Sequence, residues 1–138
     1  MNTRLFSSHA LHVLFLFLLS LCTACEQQPY RMGERLYKAN CANCHLDQGE
    51  GLGALIPPLA GSDYLPGCRD RLACMIRYGL KDTIVVNGKT YAEVMVGNDK
   101  LSDIQITNLA NFVLKRWGND RLAPLTFEEA EARLGKCK

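Results

Sequence analysis

Polar and apolar positions change rhythm several times along this chain, and each change predicts an element. Near the start, a mostly apolar run from Leu11 to Leu21 follows Arg4 and ends in the small residues Thr23 and Ala24. A cationic start, an apolar centre shorter than the ~20 residues of a membrane span and small residues at the end predict an export signal over residues 1–24. An uncleaved anchor is the weaker alternative. From Arg31 to Asn40 apolar residues recur at helical spacing, with Met32, Leu36 and Ala39 on one stripe and Gly33 and Tyr37 on its flank. Pro29 suits the first turn of this helix. A glycine inside a helix costs about 1 kcal/mol relative to alanine, so Gly33 predicts close approach by another helix, against plain tolerance of a weak position.

Between Leu46 and Gly61 the helical period disappears. Gly49, Gly51, Gly53 and Gly61 with Pro57-Pro58 make a regular element untenable, and Leu52, Leu55, Ile56 and Leu59 follow no period. This predicts a loop lying against a flat apolar object. Gly-Glu-Gly-Leu-Gly at 49–53 follows no strand and carries no Gly-Lys-Ser/Thr, which argues against a phosphate cradle. Arg69 to Tyr78 predicts a short helix with Leu72, Met75 and Ile76 inward and Gly79 as its stop. Ile84-Val85-Val86, Asn87-Gly88 and Lys89-Thr90-Tyr91 predict a hairpin, because Asn-Gly accepts the positive φ angles of a type I′ turn. Ser102 with Gln105 forms a capping box ahead of a stripe of Ile106, Leu109, Ala110, Val113 and Trp117 that ends before Gly118. A second box, Thr126 with Glu129, opens a last short helix from Phe127 to Leu134, closed by Gly135.

Candidate chemistry is concentrated at Cys41-Ala42-Asn43-Cys44-His45. Two cysteines three apart with histidine directly after the second have the spacing of a c-type haem attachment site. Residues three apart share a helix face, so both thiols can add to the vinyl groups of one porphyrin while His45 faces the iron. A zinc ribbon would need a second ligand pair at comparable spacing. The other pair so spaced, Cys22 and Cys25, lies in the targeting segment. A thioredoxin-like redox pair expects a βαβ setting, which is absent here.

The remaining cysteines bear on compartment. Cleavage before Cys25 fits ordinary signal removal and also resembles a bacterial lipoprotein signal, in which that cysteine is acylated, although Cys22 stands where leucine is usual. Haem attachment and disulfides both belong outside the cytoplasm. Cys68, Cys74 and Cys137 are left over, an odd number in an exported chain. Cys68 with Cys74 closes a small loop in one reading, and all three stay reduced and buried in the other. The chain of 138 residues carries a formal net charge of +2, lowered by one when Arg4 leaves with the signal. So weak a field gives no steering toward nucleic acid.

Beyond the haem motif, the chain resembles a class I bacterial cytochrome c from Tyr30 to Asn119. The likeness rests on Gly33-x-x-x-Tyr37 before the motif, Pro57-Pro58-Leu59-Ala60-Gly61-Ser62-Asp63, and Val86-Asn87-Gly88 before Tyr91. It rests also on Met95 and on Leu101-Ser102-Asp103 opening a helix that ends Trp117-Gly118-Asn119. The resemblance implies an all-α domain at 30–119, wrapped around one covalent haem c, with a short β-hairpin before the last core helix. Residues 25–29 are then a tether and 120–138 an extension with one short helix. It also implies that the first and last core helices cross near Gly33 and Phe112.

The resemblance further implies iron held between His45 and Met95, with the carbonyl of Pro57, or of neighbouring Pro58, fixing the histidine ring. Among the other methionines, Met32 precedes the motif on its own helix and Met75 belongs to an apolar stripe. Relatives often carry proline directly after the methionine, and Val96 stands there instead, which leaves the stiffness of that loop open. The expected function is single-electron transfer through an exposed haem edge, without catalysis, between a redox-protein donor and acceptor. The expected location is periplasmic, on the membrane through a lipidated Cys25. Alternatives are a haem subunit of a larger dehydrogenase or oxidase and, if the methionine is labile, a sensor of small ligands or peroxide.

Overall fold

The computed structural model describes residues 30–137, together with residues 12, 13 and 15. The export signal beyond those three positions, Cys25 and the 25–29 tether lie outside the described residues. Among the described residues no helix is long and apolar enough to cross a membrane.

The first helix, α1 (Arg31–Asn40), packs on the long helix α5 (Asp103–Leu114). Its buried positions are Gly33 and Tyr37, whereas Met32 is 43% exposed and Ala39 is also open to solvent. The expected Met32–Leu36–Ala39 stripe is therefore not the core face. The reason lies at Gly33, where a Cβ would run into the carbonyl oxygen of Asn108 and come within 2.5 Å of the Phe112 Cβ. Because only a bare α-carbon admits α5 so closely, the side of the helix that carries it, and Tyr37 one turn on, takes the core.

The helix α5 begins with the Ser102–Gln105 capping box, both reciprocal hydrogen bonds present. It stops at Leu114, earlier than the apolar stripe predicts. Trp117 has left the helix at φ 53° and folds back so that its ring lies 5.0 Å from Tyr37 and 5.4 Å from Phe112. Ahead of α5 come α2 (Ala42–His45), α3 (Leu65–Cys68), a single 3₁₀ turn at Arg69–Arg71 and α4 (Leu72–Tyr78). The helical stretch thus starts four residues before the expected Arg69.

Two small antiparallel sheets join these helices. The hairpin β2 (Ile84–Val86) with β3 (Lys89–Tyr91) turns at Asn87 and Gly88, at φ 50° and 74°. The second sheet lies outside the all-α expectation: β1 (Gly79–Leu80) pairs with β4 (Met95–Val96), in the register Gly79↔Val96 and Leu80↔Met95. The fold is a helical core with two short two-stranded sheets beside it.

The residues after Asn119 lie against this core. The helix α6 (Phe127–Leu134) opens with the Thr126–Glu129 box and buries Ala130 and Leu134. Arg69 donates to the carbonyls of Ala123 at 2.8 Å and Pro124 at 2.7 Å, and the amides of Asn111 and Leu125 exchange bonds of 2.8 and 2.7 Å. Cys137 forms a disulfide with Cys74 on α4, with a Cα separation of 5.7 Å. The expected Cys68–Cys74 loop is thereby corrected. Cys68 is a free, buried thiol turned toward the Leu65 carbonyl, while Cys74 faces the extension.

Candidate cofactor-attachment site

The attachment motif sits where α1 breaks. The N–H groups of Cys44 and His45 both reach the Cys41 carbonyl, at 3.1 and 2.9 Å, which winds the motif into one tight turn. Leu46 then reverses the chain at φ 61°, held there by the buried Tyr37 hydroxyl donating to its carbonyl at 2.6 Å. Cys41 is half-buried, Cys44 exposed, and both are free thiols. Burial, and secondarily the neighbouring Cys44, pushes the Cys41 thiol up to about 11, so it is protonated near neutrality.

His45 is only 8% exposed. Its Nδ1 lies 3.1 Å from the Pro57 carbonyl oxygen, and since a carbonyl only accepts, Nδ1 carries the proton. Nε2 is left with a lone pair. Burial lowers the imidazole pKa, partly opposed by the Pro57 bond, which keeps the ring in the neutral form that binds metals. The loop delivers that carbonyl through bonds of its own: Gly51 N to His45 O at 3.0 Å and Leu52 N to Ile56 O at 3.0 Å. Its far end is fixed to the turn that follows α5 by Asn119, whose side-chain amide donates to Leu59 O at 2.8 Å, and by Gly61 N to Trp117 O at 2.9 Å.

Met95 is half-buried on β4. The segments that carry Met95 and His45 are joined at two places. The Asn98 amide donates to the Asn40 side-chain oxygen at 2.9 Å, immediately before Cys41. On the other side, Lys89 Nζ reaches the Gly53 carbonyl at 3.1 Å, with the Tyr91 hydroxyl at 3.5 Å from the same oxygen. Sequence reasoning missed Asn98, the tie that Asn119 makes to Leu59, and the β1–β4 pair. Only an isolated glycine on each strand side, Gly79 and Gly97, hinted at the last.

The donor set fits a c-type haem: two reduced thiols one turn apart and a neutral imidazole with a free nitrogen, with a thioether on a segment tied to the same turn. Leu52, Leu55 and Val94, on the loops around these donors, are each about half exposed and suit contact with a flat apolar group. A helical domain with this turn defines a c-type cytochrome.

Residues 28–113 match the family described as cytochrome c oxidase, cbb3-type, subunit III. Cytochrome c-552 of Thermus thermophilus is 35% identical over 107 residues, 72% of this chain and 81% of the relative. The cytochrome c subunit of an alcohol dehydrogenase (quinone) from Gluconobacter oxydans is 35% identical over 92 residues, 64% of this chain and 19% of that protein. The chain belongs to the class I cytochrome c family. It is a haem-based electron-transfer protein.

Proposed function

We propose that this protein is a single-electron carrier with one haem attached through Cys41 and Cys44 and iron ligated by His45 and Met95. It works in the periplasm between a redox-protein donor and acceptor, on the membrane surface through an acylated Cys25. The carrying observation is the buried neutral His45, whose Nδ1 is committed to Pro57, leaving the Nε2 lone pair, in one turn with the free thiols Cys41 and Cys44. A bound c-type haem supplies a one-electron iron couple, with a potential raised by a thioether donor. The chain's own residues do the holding. Cys41 and Cys44 fix the position covalently, Pro57 orients the imidazole, and Met95 offers sulfur from a paired strand. With both donors committed, no position remains for a substrate.

The test is a redox titration, followed by optical spectrum, of mature protein made in a host that attaches haem. A one-electron step and a methionine-to-ferric-iron charge-transfer band are expected. Their absence, with rapid carbon monoxide binding by the reduced form, would favour a ligand sensor. Acylation is checked separately: Cys25→Ala is expected to move the protein from the membrane to the soluble fraction.

A second reading, a haem subunit of a larger dehydrogenase, is favoured by the similarity to the Gluconobacter subunit. Recovery of nothing but free monomer from gently solubilised membranes would count against it.

A further inference from the structure

Met95 is followed by Val96 and Gly97, so no proline ring fixes the main chain here and the stiffness of the methionine segment has to come from elsewhere. We propose that Gly79 and Gly97, extended by the Asn98–Asn40 tie, form a clasp that positions Met95 for the iron. This rests on the reading of Met95 as a ligand.

The clasp is reciprocal. Gly79 closes α4 at φ 83° and ψ −171°, a conformation essentially reserved for glycine. A Cβ there would strike the Met95 carbonyl oxygen and lie 2.8 Å from the Gly97 nitrogen. A Cβ on Gly97 would lie 2.5 Å from each of the Arg77 oxygen, the Gly79 nitrogen and the Tyr78 carbonyl carbon. Each glycine therefore lacks a side chain at the place where the other's backbone passes. The strand pair Gly79↔Val96 and Leu80↔Met95 is closed on one side by this contact. Beyond it, Asn98 N donates to Ile76 O at 2.8 Å, and the Asn98 side chain reaches Asn40. Behind the clasp, Arg77 pairs with Asp103, which anchors the end of α4 to the first turn of α5.

Residues 95–98 are thus laid backbone to backbone against β1 and the end of α4, and the main chain from Met95 onward is restrained by the Leu80 pairing, the Gly79 contact and the Asn98 bond. A proline would restrict one φ angle. Here the restraint is tertiary, and it depends on the absence of two side chains.

The experiment uses the haem-loaded protein and the variant Gly97→Ala, whose residue is not in the left-handed region, so the added methyl acts by contact alone. Overpacking of this kind is expected to favour sulfur dissociation from ferric iron by roughly 5- to 150-fold. The charge-transfer band should weaken, the reduction potential fall, and carbon monoxide bind the reduced protein faster. Gly88→Ala is the control: it lies in the hairpin turn with open space around it, and it should lower stability without moving the band. If Gly97→Ala does not fold, Asn98→Ala decides, because it removes the Asn40 tie without adding an atom and should move the same readouts less. A normal band, potential and carbon monoxide rate in whichever variant is read overturn the clasp. Met95→Ala separates the two ideas. If it keeps the band and potential, the ligand reading itself is wrong; if it loses them while Gly97→Ala does not, only the clasp fails.

Discussion

The two segments that bring donors to this site are built on opposite plans. The segment from Cys41 to Gly61 follows one tight turn with a glycine-rich loop, and it holds His45 buried through bonds inside its own sequence neighbourhood. The segment from Gly79 to Asn98 offers a half-buried Met95 from a two-residue strand, held by contact with a helix end. The first plan fixes a ring before any partner arrives. The second lets a neighbour decide where the sulfur sits. A molecule so divided has one firm side and one adjustable side, and perturbations should separate them.

The largest expected effect is on the firm side. Cys41→Ala with Cys44→Ala removes both thiols proposed for attachment, and intact-protein mass spectrometry should show polypeptide without covalent haem. Retention of the added mass would end the comparison, since attachment would then lie elsewhere.

Next comes the support behind the adjustable side. The Cys74–Cys137 bond spans 63 residues and ties α4 to the extension. Cys74→Ser with Cys137→Ser is expected to cost about 2–4 kcal/mol in denaturant unfolding. The charge-transfer band should persist at room temperature, because the glycine clasp does not include the disulfide. Loss of the band would show that the adjustable side extends as far as the extension.

Gly51→Ala returns to the firm side with a smaller perturbation. The position has φ 71°, and a Cβ would lie 2.7 Å from the Pro57 carbonyl carbon. Strain of about 1–3 kcal/mol is expected, and with it a displaced Pro57 carbonyl and a changed histidine ring environment by NMR while covalent haem is retained.

The smallest effect belongs to Cys68, which touches neither segment's donors. Burial pushes its thiol up to about 11. A raised thiol pKa in the folded state means that its stabilising share is intact below the ordinary thiol value and is lost as pH rises toward about 11. Cys68→Ala should therefore flatten the alkaline decline in stability. In the native wild type, iodoacetamide near pH 8 should leave Cys68 unmodified, and denaturant should expose it.

The firm side was largely legible in the sequence because its information is local. Cys41, Cys44 and His45 share one turn, as local as the boxes at Ser102 and Thr126 outside both segments; within the adjustable side only Asn87-Gly88 announces its own turn. The adjustable side was not. Gly79-Leu80 and Met95-Val96 are too short to show alternation, and their pairing depends on how α4 ends. The approach of α5 to Gly33 at Phe112 was foreseen, but the core face of α1 was misjudged, because the Met32–Leu36–Ala39 stripe hides that the contact turns Gly33 and Tyr37 inward. Trp117 continues a helical stripe in sequence yet sits beyond the helix, because its ring is claimed by Tyr37 and Phe112. The Cys74–Cys137 pairing joins two elements whose nearness no spacing records.

That crosslink carries a consequence for how the protein is made. On the proposed reading, Cys41 and Cys44 have to stay reduced until the porphyrin alkylates them, while Cys74 and Cys137 have to be oxidised. Cys137 lies 93 residues beyond Cys44, so in a chain exported from its N-terminus the motif precedes the second half of the crosslink. A circular permutant that put Cys137 ahead of Cys41 is then expected to bring the two reactions into competition.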